Sequence, residues 1–445
     1  MLCQRHLCSQ HLVGPDHTCP QREEDSYDSA ILGAQIVEIQ GLLSQINQDA
    51  LAKRASLLRN LSCVVIPTDL DSLSTVMGNV NLHLELQFSD GVRWIARIKR
   101  QNVTTPLKPV QKLVIECEVA TYRFLQSTQV PAPRVFDFCA SSDNVVGVPY
   151  ILMEKVPGRP FSKCTPTVEQ RYRVMKQTAL IYKELHQHPF ETMGSLHLQD
   201  SEPGYFVGPL ASELLSDFEF SDNNEGLKTL GPFHDLAHYY DQIIARILCM
   251  IVNGVFYTPW PIETYLIHLS LHDLASSLSF SQSFSTAGNG KFYLKHLDDQ
   301  GSHIMVDEDY NITGVIDGEW AFTAPATIAF TSPMMLWDVG DFFDGKSSLS
   351  KEEVEFASLL DHEENDAQTQ GLGTYVKKGK MTQRLNFLIG NEISDWDISS
   401  YIQNFSALLQ APDFSTNVRF SWDEWKSNAL EKYKNDEGLQ KLNER

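Results

Sequence analysis

The chain has 445 residues, 42% of them hydrophobic, enough to bury a large core and leave room for two lobes or two domains. Its 36 Lys and Arg against 57 Asp and Glu give a formal charge of −21. That balance speaks against nucleic acid or an anionic membrane as the main partner, since both demand a basic face.

No apolar run approaches the roughly 18 residues that span a bilayer; the longest candidate, Ile243 to Val252, is interrupted by Arg246. The opening MLCQRHLCSQH lacks the apolar core of a secretory leader. Eight cysteines in a chain of this length do not make a disulfide scaffold, so a reducing, cytosolic setting is expected.

Residues 1–28 are polar and carry Cys3, His6, Cys8, His11, His17 and Cys19. These are zinc-binding residue types, but their spacing fits no common finger, and a disordered tail is expected. Residues 29–60 read as a helical extension, with Ile36, Ile39, Leu42, Leu43, Ile46 and Leu51 among the apolar positions that recur at helical period. The texture then changes to strands, and residues 61–155 read as a first lobe. Asn81 to Phe88 alternates cleanly, Asp90-Gly91 is a strong hairpin turn, and Val92 to Lys99 returns. On the returning strand, Trp94, Ala96 and Ile98 share one face while Arg97 and Lys99 share the other. Ser74 to Asn79 forms a loop before the hairpin and contains Gly78. No GxxxxGK[ST] loop occurs anywhere, so a P-loop enzyme is excluded by motif.

Residues 109–128 read as a helix with Leu113, Cys117, Ala120 and Phe124 along one stripe. Glu116 and Glu118 flank that stripe on opposite sides, and geometry alone does not choose between them. Tyr150 to Glu154 is a buried-type strand that leads through Val156. Residues 156–445 are mostly helical, including 168–187, 234–253 and 264–279. Asp338, Asp341 and Asp344 lack the every-second-residue spacing of a calcium loop and read as helix-start and turn acids. A last helix is expected to start at Ser421, with Glu424 completing a capping box.

The most informative stretch is 291–320, KFYLKHLDDQGSHIMVDEDYNITGVIDGEW. Two β-rich runs flank the turn Glu308 to Asn311, which is a hairpin pattern. Asp298 precedes the hairpin and Asp317 closes it, so its legs should bring the two carboxylates near each other. One carboxylate beside a reacting hydroxyl and a second on Mg²⁺ is the division of labour phosphoryl transfer uses.

The pattern His296-x-Asp298, a polar residue at 303, a short hairpin and Ile316-Asp317-x-Glu319-Trp320 resembles the aminoglycoside phosphotransferase and choline kinase family, and within it a large fungal branch. The resemblance implies an α+β, protein-kinase-like fold of two lobes, with ATP and Mg²⁺ between a strand-rich lobe and a helical one. It implies transfer of the γ-phosphate to a hydroxyl of a small molecule. Asp298 would accept or orient the hydroxyl proton, and His296 would brace the loop. Asp317 would hold Mg²⁺, with His303 or a water beside it. Arg97, with Lys99 as the alternative, would hold the phosphates, and the family pattern selects Glu118 to brace it. Gly78 would lie in the loop over the phosphates, and backbone near Glu154 and Val156 would meet the adenine.

Two positions depart from the family. His303 stands where most relatives have Asn, and Gly318 where a large aromatic is usual. Imidazole suits Mg²⁺ less well than an amide oxygen. Were His303 on the metal, activity would fall as pH drops through about 6.5, where an ordinary imidazole gains a proton. Alternatively, His303 would bond to loop carbonyls near Gly301. A pseudokinase that binds nucleotide without turnover is the main rival. A protein kinase is disfavoured, because neither an HRD triplet nor an APE-like segment is present.

Overall fold

The computed structural model describes residues 21–69, 77–78, 80–102, 105–200, 204–212, 229–257, 259–275, 290–361, 371–390, 398–411 and 421–445, with side chains from residue 31 on. These fall into two compact units. The first takes in the described residues up to Tyr122 together with Pro133–Val156; the second is Arg123–Ala132 with the described residues from Pro157. The Cys- and His-bearing positions 3 to 19 lie outside the described residues, as does most of the loop around Gly78.

In the first unit, α1 (Gln21–Gln45) and α2 (Gln48–Arg59) precede β1 (Cys63–Val65), β2 (Asn81–Phe88) and β3 (Arg93–Lys99). Helix thus begins ahead of residue 29, and the helical extension is two helices. The break has a local cause. Asn47 caps α2 by accepting from Ala50 N at 3.0 Å, and its own N–H donates to Val146 O at 2.8 Å. Then come α3 (Lys108–Leu125), β4 (Val135–Cys139) and β5 (Tyr150–Glu154). The sheet is antiparallel in the order β1-β2-β3-β5-β4. The β2–β3 turn needs Gly91, whose φ is +88°.

The strand alternation decides what each face of the sheet does. Leu82, Leu84, Leu86, Trp94, Ala96, Ile98 and Leu152 are buried against Ile39 and Leu42 of α1 and Leu51 and Ala55 of α2. Burying each large side chain contributes about 1.5–3 kcal/mol. Two arginine forks fasten the helices to the sheet. Arg54 grips Asp137 at 2.8 and 2.7 Å, and Arg100 grips Glu38 at 2.9 and 2.5 Å.

The second unit holds β6 (Arg159–Pro160), α4 (Val168–His186), the hairpin β7 (Ser195–Leu198) and β8 (Tyr205–Gly208), α5 (Leu236–Asn253) and α6 (Pro261–Ala275). Thr167 and Gln170 form a reciprocal capping box at the start of α4. The stripe Leu236, Tyr240, Ile243, Ile247 and Met250 of α5 is buried, as its period predicts. Asp338 caps Val339–Phe343 through Asp341 N, and Asp341 pairs with Lys346 at 2.5 Å, so these acids serve a helix start and a turn. Ser421 makes no side-chain cap bond at Trp422–Lys432. The expected capping box is therefore absent there, although Ser421 has the extended backbone of an N-cap. A further helix, Glu437–Asn443, follows and is capped by Asp436.

Candidate functional site

Four short strands build the site in the second unit: β9 (Phe292–Lys295), β10 (Ile304–Val306), β11 (Ile312–Val315) and β12 (Phe322–Pro325). β9 pairs with β12 through Phe322 and Lys295, and β10 pairs with β11 through Ile304 and Val315. The loop 296–303 joins β9 to β10, and the loop 316–321 joins β11 to β12. The same two ladders therefore bracket both loops and hold them side by side. The hairpin 304–315 is as expected, whereas the β9–β12 pairing was not anticipated.

Two hydrogen bonds cross between the loops, and a ring contact stiffens the first of them. Ile316 N donates to His303 O at 2.8 Å. The imidazole of His296 donates from Nε2 to Ile316 O at 3.0 Å. The rings of His296 and His303 stack with centroids 4.4 Å apart. His296 thus braces the loop by hydrogen bonding. A carbonyl partner fixes its tautomer with the proton on Nε2.

Within the first loop the two adjacent aspartates have opposite surroundings. Asp299 is 14% exposed, ion-paired to Lys295 at 2.6 Å, and accepts Met334 N at 2.9 Å. Its carbonyl also takes Met335 N at 3.3 Å. Burial pushes the Lys295 ammonium down, but Asp299 and Tyr182 outweigh it and hold the group above the usual lysine range. Asp299 is a brace. Asp298 is exposed, with only a 3.4 Å contact from Ser302 Oγ, and it is the carboxylate of the two that can meet a substrate. Gly301, at φ +97°, gives its carbonyl to Ser162 N and faces Met335 and Phe161. A side chain there would strain the turn on which Asp298 depends.

The second loop carries Asp317 at φ 63° and Trp320 at φ 65°. Aspartate tolerates the left-handed region, but for tryptophan it is an outlier. Such conformations cost about 1–3 kcal/mol each and gather at functional sites. Asp317 is half-buried and Glu319 is 4% exposed.

His303 is 7% exposed, and its Nδ1 is buried without a hydrogen-bond partner. It does not bond to the carbonyl of Gly301. Burial, with His296 and Lys295 adding to it and Asp317 opposing, pushes its pKa down to about 2. This corrects the expectation of an imidazole titrating at about 6.5. A ring shut away from water cannot take up a proton there, so His303 stays neutral across the physiological range.

Among the described residues no cluster of three His, Cys, Asp or Glu could hold a metal unaided. The donors present still fit a divalent cation shared with phosphate and water, because Asp317 supplies a carboxylate and His303 a neutral, unpartnered ring nitrogen.

The remaining candidates lie in the first unit. Arg97 on β3 and Glu118 on α3 make an ion pair at 3.2 Å, with side chains 8% and 0% exposed. The nitrogen and oxygen are in contact, but without the straight geometry of a hydrogen bond. Glu116 is instead half-buried beside Lys112 at 3.8 Å, so it is Glu118 that pairs with Arg97. Lys99 is half-buried further along β3. Glu154 is exposed, and its N–H already donates to Arg134 O at 2.8 Å, so that donor is committed to the sheet. Val156 is half-buried at the unit's end. Gly78 is exposed, and its carbonyl accepts from Arg100 at 2.9 Å. A side chain there would meet nothing nearer than 4.0 Å, so nothing described requires glycine.

The sequence reading missed Lys295 and Asp299 as a pair. Their i, i+4 spacing looks helical, whereas here it spans a strand end and a loop.

Residues 79–225 match the model of the phosphotransferase enzyme family, a span that ends before the loops just described. A subtelomeric hrmA-associated cluster protein of Aspergillus fumigatus is 31% identical over 147 residues, covering 30% of this chain and 28% of that protein. The chain thus matches just over a quarter of that relative's length. Among solved structures, aminoglycoside phosphotransferase APH(4)-Ia is 12% identical with a TM-score of 0.41, covering 88% of this chain and 99% of that one. An ethanolamine kinase of Plasmodium vivax is 12% identical with a TM-score of 0.40, covering 84% and 82%. Across residues 79–225, from the strands of the first unit into the second, the chain carries the sequence pattern of the phosphotransferase enzyme family.

Proposed function

We propose that the chain transfers the γ-phosphate of ATP to a hydroxyl of a small molecule. The observation that carries this is the contrast between Asp298 and Asp299. One carboxylate is exposed, while its neighbour is tied to Lys295 and Met334 and fixes the loop on which the first one stands. A base on a loop anchored at both flanks, by His296 on one side and Asp299 on the other, suits a reaction in which positioning supplies most of the acceleration.

Asp298 orients the acceptor hydroxyl and takes its proton. Asp317 and His303 hold the divalent cation, which when bound neutralises charge on the phosphate oxygens. Arg97 offers phosphate a cation that cannot lose its proton, and Glu118 fixes its direction. The family match over 79–225 agrees with this activity.

The test is a panel of alcohols and amino alcohols incubated with ATP and a divalent cation and read by mass spectrometry. The expected result is one acceptor that gains a single phosphoryl group. Nucleotide binding without transfer to any acceptor would favour the pseudokinase.

A further inference from the structure

Resting on that assignment, we infer that His303 places an imidazole nitrogen on the cation of this site, and that the site consequently favours Mn²⁺ over Mg²⁺. His303 is more than nine-tenths buried, and its Nδ1 is satisfied by neither the chain nor solvent. A buried polar atom left that way costs about 1–3 kcal/mol unless a ligand meets it.

The ring is also fixed in place. Its carbonyl accepts Ile316 N at 2.8 Å, directly before Asp317, and its face lies against His296 at 4.4 Å. His296 commits Nε2 to Ile316 O, which holds the stacking partner; its own Nδ1 is also buried without a hydrogen-bond partner, and His303 differs in lying one backbone hydrogen bond from Ile316, the residue before Asp317. Asp317 is near enough for its charge to act on the His303 ring. The protein's contribution is therefore one carboxylate oxygen and one neutral nitrogen, held together by the ladder that joins their loops.

Donor chemistry then selects the ion. Mg²⁺ demands oxygen and gives up water reluctantly. Mn²⁺ shares its liking for carboxylate, phosphate and water and also accepts imidazole. Zn²⁺ would take the nitrogen too, but it settles in four-coordinate sites richer in nitrogen or sulfur than this one.

The experiment uses the full chain with Mn²⁺ and ADP, prepared with natural-abundance and with ¹⁵N-labelled histidine, and examined by electron spin-echo envelope modulation. The expected spectrum shows nitrogen modulation that changes with the label, persists in His296→Gln and vanishes in His303→Asn. In the same samples, competition between Mn²⁺ and Mg²⁺ should show His303→Asn moving the preference toward Mg²⁺ by about tenfold or more. The labelled wild-type comparison stands even if a variant does not fold. Bound Mn²⁺ without nitrogen modulation, or modulation lost only in His296→Gln, overturns the inference and leaves the phosphotransfer assignment intact. ADP that fails to bind with either metal overturns both.

Discussion

Glu118→Ala removes the carboxylate that faces Arg97 inside the first unit. The pair stands 3.2 Å apart with side chains 8% and 0% exposed, so solvent does little to replace the lost charge. At an effective dielectric of about 20, two unit charges at that distance attract by about 5 kcal/mol. Truncating one member of a buried pair costs about 3–5 kcal/mol, and the two figures agree. A loss of that size is a large share of a typical domain's 5–15 kcal/mol. The double variant Arg97→Met, Glu118→Leu removes both charges and keeps the volume, so its stability should return close to wild type. On the proposed role of Arg97 as the cation that holds phosphate, nucleotide binding should not return. Urea unfolding followed by tryptophan fluorescence measures the first effect, and calorimetric titration with ADP measures the second. If the stable double variant binds ADP as tightly as wild type, Arg97 does not hold phosphate.

Asp317→Asn should abolish metal-dependent turnover and leave the circular dichroism spectrum unchanged. Asparagine tolerates the φ of 63° as well as aspartate does, so the change isolates the charge; retained activity would remove Asp317 from the metal. Lys295→Met should cost about 3 kcal/mol, since it strands the mostly buried Asp299, and should lower kcat more than it raises KM. A KM effect alone would mean the brace does not serve Asp298. His268 is fully buried, donates to Thr264 O at 2.8 Å, and burial pushes its pKa down to about 4. The unfolded chain takes up that proton at about 6.5 and the folded one only near 4. Stability should therefore fall by about 1.4 kcal/mol per unit as pH drops between those values, and stay level above them on this residue's account. Denaturation midpoints at pH 7.5, 6 and 5 test the slope, which should flatten in His268→Gln.

What could be seen in the sequence follows the range of the interactions involved. The 304–315 hairpin and the β2–β3 hairpin are local, so turn residues and alternation reveal them. Parity on β3 placed Arg97 and Lys99 together opposite the apolar face, and preferring Arg97, like choosing Glu118 over Glu116 as its partner, took the family pattern. The β9–β12 ladder joins Lys295 to Phe322 across 27 positions, and periodicity carries no sign of such a pairing. His303 is buried with its ring against His296, and a spacing of seven positions in a loop gives no sign of that contact. The forks Arg54–Asp137 and Arg100–Glu38 were likewise hidden, since each joins residues more than sixty positions apart. The break at Asn47 is a cap whose meaning depends on the Val146 carbonyl it meets.

The central claim is that Asp298, and not its neighbour, serves a phosphoryl transfer. Phosphorus NMR of ATP incubated with an accepted alcohol, for wild type and Asp298→Asn at matched folded concentration, tests it most directly. Wild type should convert the γ-phosphate signal into a phosphate ester, and Asp298→Asn should slow that conversion by at least about a hundredfold while still binding ADP, in line with the usual contribution of a positioned base. Equal rates in the two proteins would contradict the account.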